Sequence, residues 1–401
     1  MSDKATVRAK LMTLFNITLY KDEDADKGIE RYSDKKKAEL IKGVEAKKWT
    51  ILANAKDSSL LRNKIGYDIA LAMGLGVDNR FIDVWMNGEY LGNYLLTPKT
   101  DTIAPKNGYQ IELERRTDNE DPQFTLKGFE NGTRPIYFTV KDNGAEAETF
   151  DIKAYMQKVA DAILDKNSSD YLNYIDLDSW AKMYLLNELY KDVDVVTDSI
   201  FMYRNSTNVD DKLFAGPVWD LDGAIGRTYS NGYCGVDNTN QISPDKWYID
   251  GIQYDNNRGY LSWLQMLGRH QEFMQRVYEL YNEYSDEFDA LETQIDAQAS
   301  VITDSAAMNF NIHPVNQTVE KMFNVENTKT VGSGAYKITY KVTNSWSDYV
   351  DNLKMFVSTR NAFFGGADEI LDQIRLLTGG GHAHVFLRRT AKGRKALHAI
   401  R

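Results

Sequence analysis

The chain has 401 residues, 42% of them hydrophobic and 12% aromatic, enough for a sizeable core and too apolar for a disordered protein. A net charge of −10 argues against nucleic acid as a main partner, and a single cysteine, Cys234, excludes an internal disulfide framework and a Cys-rich zinc site. No apolar run approaches transmembrane length, and "MSDKATVRAK" lacks an apolar signal region, so neither a membrane span nor an export signal is expected.

In chain order, "FNITLY" alternates as a strand. The charged "DADKGIERYSDKKKAELIKGVEAKKW" is a connection with some helical character, and "WTILAN" is a short apolar strand. Asp57, Ser58 and Ser59 offer N-cap oxygens to a helix whose Leu61, Ile65, Ile69 and Met73 share one face and which Gly74 ends. "FIDVWMNGEYLGNYLL" is a hairpin turning at Asn87-Gly88. "GYQIELE" is a strand with Tyr109, Ile111 and Leu113 on one face and Glu112 and Glu114 on the other. Residues 117–149 are polar and broken around one strand, "PIYFTVK".

Helical patterning then dominates. Ile152, Tyr155, Met156, Val159 and Ile163 form a stripe, and a second helix starts near Asp176 or Asp178. A β-rich insert, "SIFMYRN…KLFAGPVWDLDGA", precedes long helices over 261–284 and 348–363. Strands first and helices later predict an α+β domain of two lobes, 1–116 and 150–375, joined by 117–149. The tail, 376–401, holds six Lys or Arg, no acid and three of the five histidines. It has the composition of an appended or frameshifted end and is set apart from the fold. A metal site at His382 and His384 is the other reading of it.

Three constellations could carry chemistry. In "GPVWDLDGAIGR" an extended backbone would point Asp220 and Asp222 the same way, with Gly223 turning the chain. Paired carboxylates repel unless a cation lies near, and Mg²⁺ suits such oxygens when phosphates complete its shell. The alternative is a solvated loop, which the apolar neighbours Val218, Trp219, Leu221 and Ile225 oppose. The acidic corner "KDVDVVTD" places Asp192, Asp194 and Asp198 between helix and strand, some 26 residues before the pair. That order suits an acid that orients a hydroxyl followed by a metal-holding acid. Arg62 and Asn63 open the first helix, where Arg62 could grip phosphate or form a surface salt bridge. No phosphate-loop, dinucleotide or nucleophile-elbow pattern occurs, and His270 and His313 alone lie outside the tail.

Taken together, these stretches resemble the CotH kinase family. "NAKDSSLLRN" resembles its Asn-x-x-Asp-x-Ser-x-x-Arg-Asn signature, and "NGEYLGNY" its Asn-Gly-x-x-x-Gly-x-Tyr hairpin. "GPVWDLD" resembles its Gly-Pro-x-Trp-Asp-x-Asp motif, and the likeness runs over about residues 15–363. The resemblance implies an atypical, protein-kinase-like two-lobed domain that transfers phosphate from ATP, with Mg²⁺ or Mn²⁺, to a protein rich in Ser/Thr. Asp194 matches the catalytic Asp, with Asp192 its competitor, and Asp220 matches the metal-binding Asp. Asp222 shares that shell. Arg62 and Asn63 match a pattern that contacts the nucleotide or braces the lobes. The family's Lys pair before the first strand has Lys10 as its nearest counterpart, so a kinase-like binding or surface module is the other reading. A monomer is expected. The compartment stays open, since family members include spore-coat and secreted or surface proteins of bacteria.

Overall fold

A computed structural model describes residues 15–18, 37–46, 48–99, 107–114, 121–129, 136–143, 149–192, 194–195, 198–208, 210–227, 242–250, 262–314, 328–341, 343, 345–366, 386–389 and 395–398. Helices and antiparallel sheets share it, so the fold is α+β. The first part is a four-stranded sheet in the order β1-β4-β6-β5. Its strands are β1 (Phe15–Thr18), β4 (Lys48–Leu52), β5 (Arg80–Met86) and β6 (Glu89–Pro98). Asn87 and Gly88, at φ +52° and +81°, close the β5–β6 hairpin as the sequence predicts.

The two faces of this sheet go to different cores. Trp49, Ile51, Tyr94 and Leu96 pack with Leu91 and Ala46, while the alternate residues Leu52 and Leu95 join the main core. Ala46 comes from a hairpin of β2 (Ala38–Ile41) and β3 (Val44–Ala46). Over residues 38–46 this replaces the helical character expected of the charged connection, whose residues 24–36 lie outside the described ones. Gly43, at φ +82°, makes the reversal.

Helix α1 (Arg62–Ala72) crosses between β4 and β5 and is buried on nearly every side, Arg62, Asn63 and Lys64 included. Its expected stripe, Leu61, Ile65, Ile69 and Met73, is at most 2% exposed.

The second sheet has five strands in the order β11-β10-β7-β9-β8. These are β7 (Tyr109–Glu114), β8 (Gln123–Phe124), β9 (Tyr137–Asn143), β10 (Ile200–Arg204) and β11 (Phe214–Val218). The boundary expected near residue 116 therefore runs through a sheet. β7 pairs directly with β10, and the supposed linker contributes β8 and β9.

The helices share the main core with this sheet. α2 (Thr149–Leu164) carries the stripe Ile152, Met156, Val159 and Ile163, all at most 1% exposed. α3 (Leu177–Tyr190) begins at Asp176, whose carboxylate accepts the Ser179 N–H at 2.8 Å. The expected helix over 261–284 is two, α4 (Trp263–Leu267) and α5 (Gln271–Glu283). Ser262 and Gln265 cap α4 reciprocally. α6 (Ser285–Asp289) and the long α7 (Leu291–Ile312) follow, and the sequence reading missed both. α7 bonds to the first sheet. Asn309 Oδ1 accepts the Asn93 N–H at 3.0 Å, and the Ser305 hydroxyl donates to Asp83 at 2.6 Å.

A hairpin of β12 (Thr328–Val331) and β13 (Ile338–Lys341) leads to α8 (Trp346–Gly365). α8 is locked to α3 by a buried ion pair. Arg360 donates to the Glu188 carboxylate and carbonyl at 2.8 and 2.9 Å, and Glu188 also accepts the N–H groups of Tyr248 and Ile249. In the tail, β14 (Phe386–Arg389) pairs with β15 (Lys395–His398). Lys10, His382 and His384 lie outside the described residues.

Candidate functional site

The stretch "GPVWDLDGAIGR" is not the extended arm the sequence suggests. β11 keeps Gly216 and Pro217 and absorbs them in a bulge against β10, so they do not break it. The strand ends at Val218. Asp220 then takes a left-handed conformation, φ +56° and ψ +62°, and residues 221–223 form one turn of 3₁₀-helix. The two carboxylates therefore leave a tight turn, not alternate positions of a strand. Gly223 makes no positive-φ turn. That task falls to Asp220 itself and to Ile225-Gly226, at φ +53° and +71°.

A non-glycine residue persists in the left-handed region when its surroundings hold it there. Here α1 holds it. The Tyr67 hydroxyl accepts the Asp220 N–H at 3.2 Å, and Asn63 Oδ1 accepts the Leu221 N–H at 2.7 Å. Asn63 in turn donates to Asn54 Oδ1 at 3.0 Å. Tyr67 also stacks on Trp219, with centroids 5.8 Å apart. Gly66 leaves space for the Leu221 side chain, which a Cβ at that position would strike.

Arg62 has a related task. Its Nε donates to the carbonyls of Ala224 and Ile225 at 3.0 and 3.3 Å, and its Nη1 pairs with Asp57. It is 3% exposed, so this is no surface salt bridge. Asp57 also accepts the N–H groups of Ser59 and Arg62 at 2.9 and 2.8 Å. Burial opposes its charge, but Arg62 and these bonds outweigh burial and hold its carboxyl below the usual range.

The acidic corner meets this turn across the end of α3. The helix stops at Lys191, left-handed at φ +50°. The carbonyl of Tyr190 accepts the Ile225 N–H at 2.6 Å, which ties the corner to the loop after Asp222. Asp192 is 2% exposed and Asp194 7%. The Asp192 carboxylate folds back to accept the Asp194 N–H at 3.3 Å.

The four acids share one field. Burial, then Asp222 and Asp194, push the Asp220 carboxyl well above its ordinary range, against the pull of Lys56 and Arg227. Burial, then Asp194, does the same to Asp192, with Asp220 and Asp222 adding to it. Arg227, 1% exposed, reaches the Asp222 carbonyl at 3.1 Å and its carboxylate at 3.8 Å. Among the described residues no group of three or more His, Cys, Asp or Glu could hold a metal ion. A dication at Asp220 and Asp222 would therefore need further oxygens from elsewhere, as Mg²⁺ takes from substrate phosphates.

The structure therefore brings Asp192, Asp194, Asp220 and Asp222 into one field and turns Arg62 and Asn63 onto the backbone that carries the last two. Sequence reading passed over Tyr67, Asn54 and Arg227. Their signals were faint: a tyrosine one helical turn after Asn63, an asparagine nine residues before it in the preceding loop, and an arginine five residues after Asp222.

The chain is thus an α+β protein with a carboxylate-rich turn clamped by a buried helix. A family model described as CotH kinase protein matches residues 18–364. The chain belongs to the CotH kinase family. None of the curated proteins compared with the chain matches it.

Proposed function

We propose that the chain is an atypical protein kinase that transfers the terminal phosphate of Mg·ATP to Ser or Thr of a protein. One observation carries the reading. Four carboxylates from two distant stretches meet, and burial first and their mutual repulsion second raise Asp192 and Asp220 well above the carboxylate range. Such repulsion is relieved by a bound dication.

Asp220 would hold Mg²⁺, or Mn²⁺ in its place, with Asp222 in the same shell, and the bound ion would neutralise charge on the transferred phosphate. Asp194 fits the role of orienting the acceptor hydroxyl and taking its proton better than Asp192, whose carboxylate is turned back onto the Asp194 N–H. Lys56, exposed on the loop before α1 and acting on Asp220, is placed to meet phosphate oxygens. Arg62 and Asn63 support the site through backbone positions 221, 224 and 225.

In this reading residues 1–375 form one domain. The four-stranded sheet and α1 make one lobe, the five-stranded sheet and remaining helices the other, and ATP lies between them. The acceptor is a Ser/Thr-rich protein and the chain acts as a monomer. No described helix is long and apolar enough to cross a membrane.

The test pairs thermal shift with a phosphate-transfer assay on the wild type, Asp194→Asn and Asp220→Asn. Mg·ATP at a hundredfold excess over its Kd should stabilise the wild type by about 2.7 kcal/mol. Transfer should vanish in both variants. Transfer that survives Asp220→Asn sinks the metal assignment. A thermal shift without any transfer selects the kinase-like binding module instead.

A further inference from the structure

The outward face of β7 carries a second polar constellation that the acidic turn does not use. Gln110, Glu112 and Glu114 alternate along it, opposite the core residues Tyr109, Ile111 and Leu113. On β9, Lys141 Nζ lies 3.1 Å from Glu112, 2.8 Å from Glu114 and 3.5 Å from Asp121. One ammonium thus faces three carboxylates. Burial and then Glu114 push the Glu112 carboxyl well above the usual range.

The second observation is independent of charge. Gln110 is 1% exposed, yet neither its amide oxygen nor its amide nitrogen has a hydrogen-bond partner among the described residues. The Thr139 hydroxyl, cross-strand from Glu112, and the second Glu114 oxygen are buried and unpartnered in the same way. Leaving one such group unmet costs about 1–3 kcal/mol, so a row of them on one face marks a place where something bonds. Exposure falls steadily inward, from 45% for the Asp121 side chain to 17% for Glu114 and 12% for Glu112. On the other flank β10 sets Phe201 opposite Glu112 and Tyr203 opposite Gln110, and Tyr203 stacks on Phe214 at 5.4 Å.

A carboxylate rail beside an aromatic rail suits a planar cation with several N–H donors, which a guanidinium offers and an ammonium does not. We propose that this face binds a linear guanidinium compound of arginine-like shape. Glu112 and Glu114 hold the guanidinium, and Gln110 and Thr139 meet the polar group at the inner end. The site is separate from the acidic turn and does not depend on phosphoryl transfer.

Calorimetric titration with arginine amide tests it, with citrulline amide as the uncharged isostere. The wild type should bind arginine amide saturably at one site, and citrulline amide about tenfold more weakly or worse. Glu114→Gln and Gln110→Leu should each weaken arginine amide several-fold, and Asp220→Asn should leave it unchanged. Thr139→Val, a smaller change, serves as a second reading if Glu114→Gln does not fold. No saturable binding to the wild type overturns the proposal. So does equal binding by the β7 variants, or a loss confined to Asp220→Asn.

Discussion

Asp57, buried, and Asp220, partly buried, are both carboxylates beside the first turns of α1, and they titrate in opposite directions. Asp57 sits against Arg62 and accepts two backbone N–H groups, so its charge is compensated at every oxygen and its carboxyl is held low. At Asp220 burial, then Asp222 and Asp194, outweigh the pull of Lys56 and Arg227, and its carboxyl is driven high. Arg62 is followed at once by Asn63 and five residues on by Tyr67, which hold the Asp220 turn. One short helix thus supports a neutralised clamp and an acidic site in which burial and repulsion prevail, side by side. The difference teaches which carboxylates hold the fold and which are kept for something that arrives.

Removing the charge of Asp220 separates the two most sharply. Asp220→Asn should lower phosphate transfer by more than about a hundredfold, since it strips a proposed metal ligand. The same change should leave the melting temperature unchanged or raised, because repulsion is relieved. A large loss of stability in this variant would place Asp220 with Asp57 as a structural acid.

The converse variant is Arg62→Leu. It leaves Asp57 charged and buried, and breaking such a pair from one side costs about 3–5 kcal/mol. It also deprives the carbonyls of Ala224 and Ile225 of their donor. Denaturant unfolding should show that loss directly. A cost below about 1 kcal/mol would mean the pair behaves like an exposed one.

A smaller effect is expected from Gly66→Ala, where the added Cβ meets Leu221 in the middle of the acidic turn. Overpacking of this kind costs about 1–3 kcal/mol. The turn should move with it, so transfer should fall further than stability alone explains. Activity that tracks stability alone would show that the turn tolerates displacement.

Much of this architecture was legible in the sequence, and the failures have physical causes. α1, the β5–β6 hairpin, the stripe of α2 and the start of α3 follow from periodicity, turn residues and a capping acid. α7 was missed because only Leu291, Ile295, Ile302, Ala306 and Asn309 along it are buried, and its long polar face hides the period. The boundary expected near residue 116 falls within a sheet because β7 pairs with β10, some 90 residues on, and a strand does not name its partner. At the site, residue types pointed to Asp194, Asp220 and Asp222. The geometry did not follow from them, because the alternation argument assumed an extended backbone. Asp220 adopts a conformation that few non-glycine residues take, and the tyrosine and asparagine that enforce it stand more than 150 residues away.

The gentlest test leaves the chain nearly intact and varies pH. The folded value of Asp57 lies below its unfolded value of about 3.9. Its contribution is therefore full above that pH and fades as pH falls through the lowered folded value. Asp220 has the opposite sign. Its folded value lies above the unfolded one, so the folded state holds the proton more tightly. Its contribution is full below about pH 3.9 and is lost as pH rises through the raised folded value. The stability of wild type minus Asp57→Asn should then shrink in acid. Wild type minus Asp220→Asn should grow more negative from about pH 4 upward, by about 1.4 kcal/mol for each unit separating the two values, and then level off. Mg²⁺ with ATP should flatten the second curve and leave the first alone, because only the second reports charge that a cation can compensate. Two curves of the same sign would erase the distinction between clamp and site.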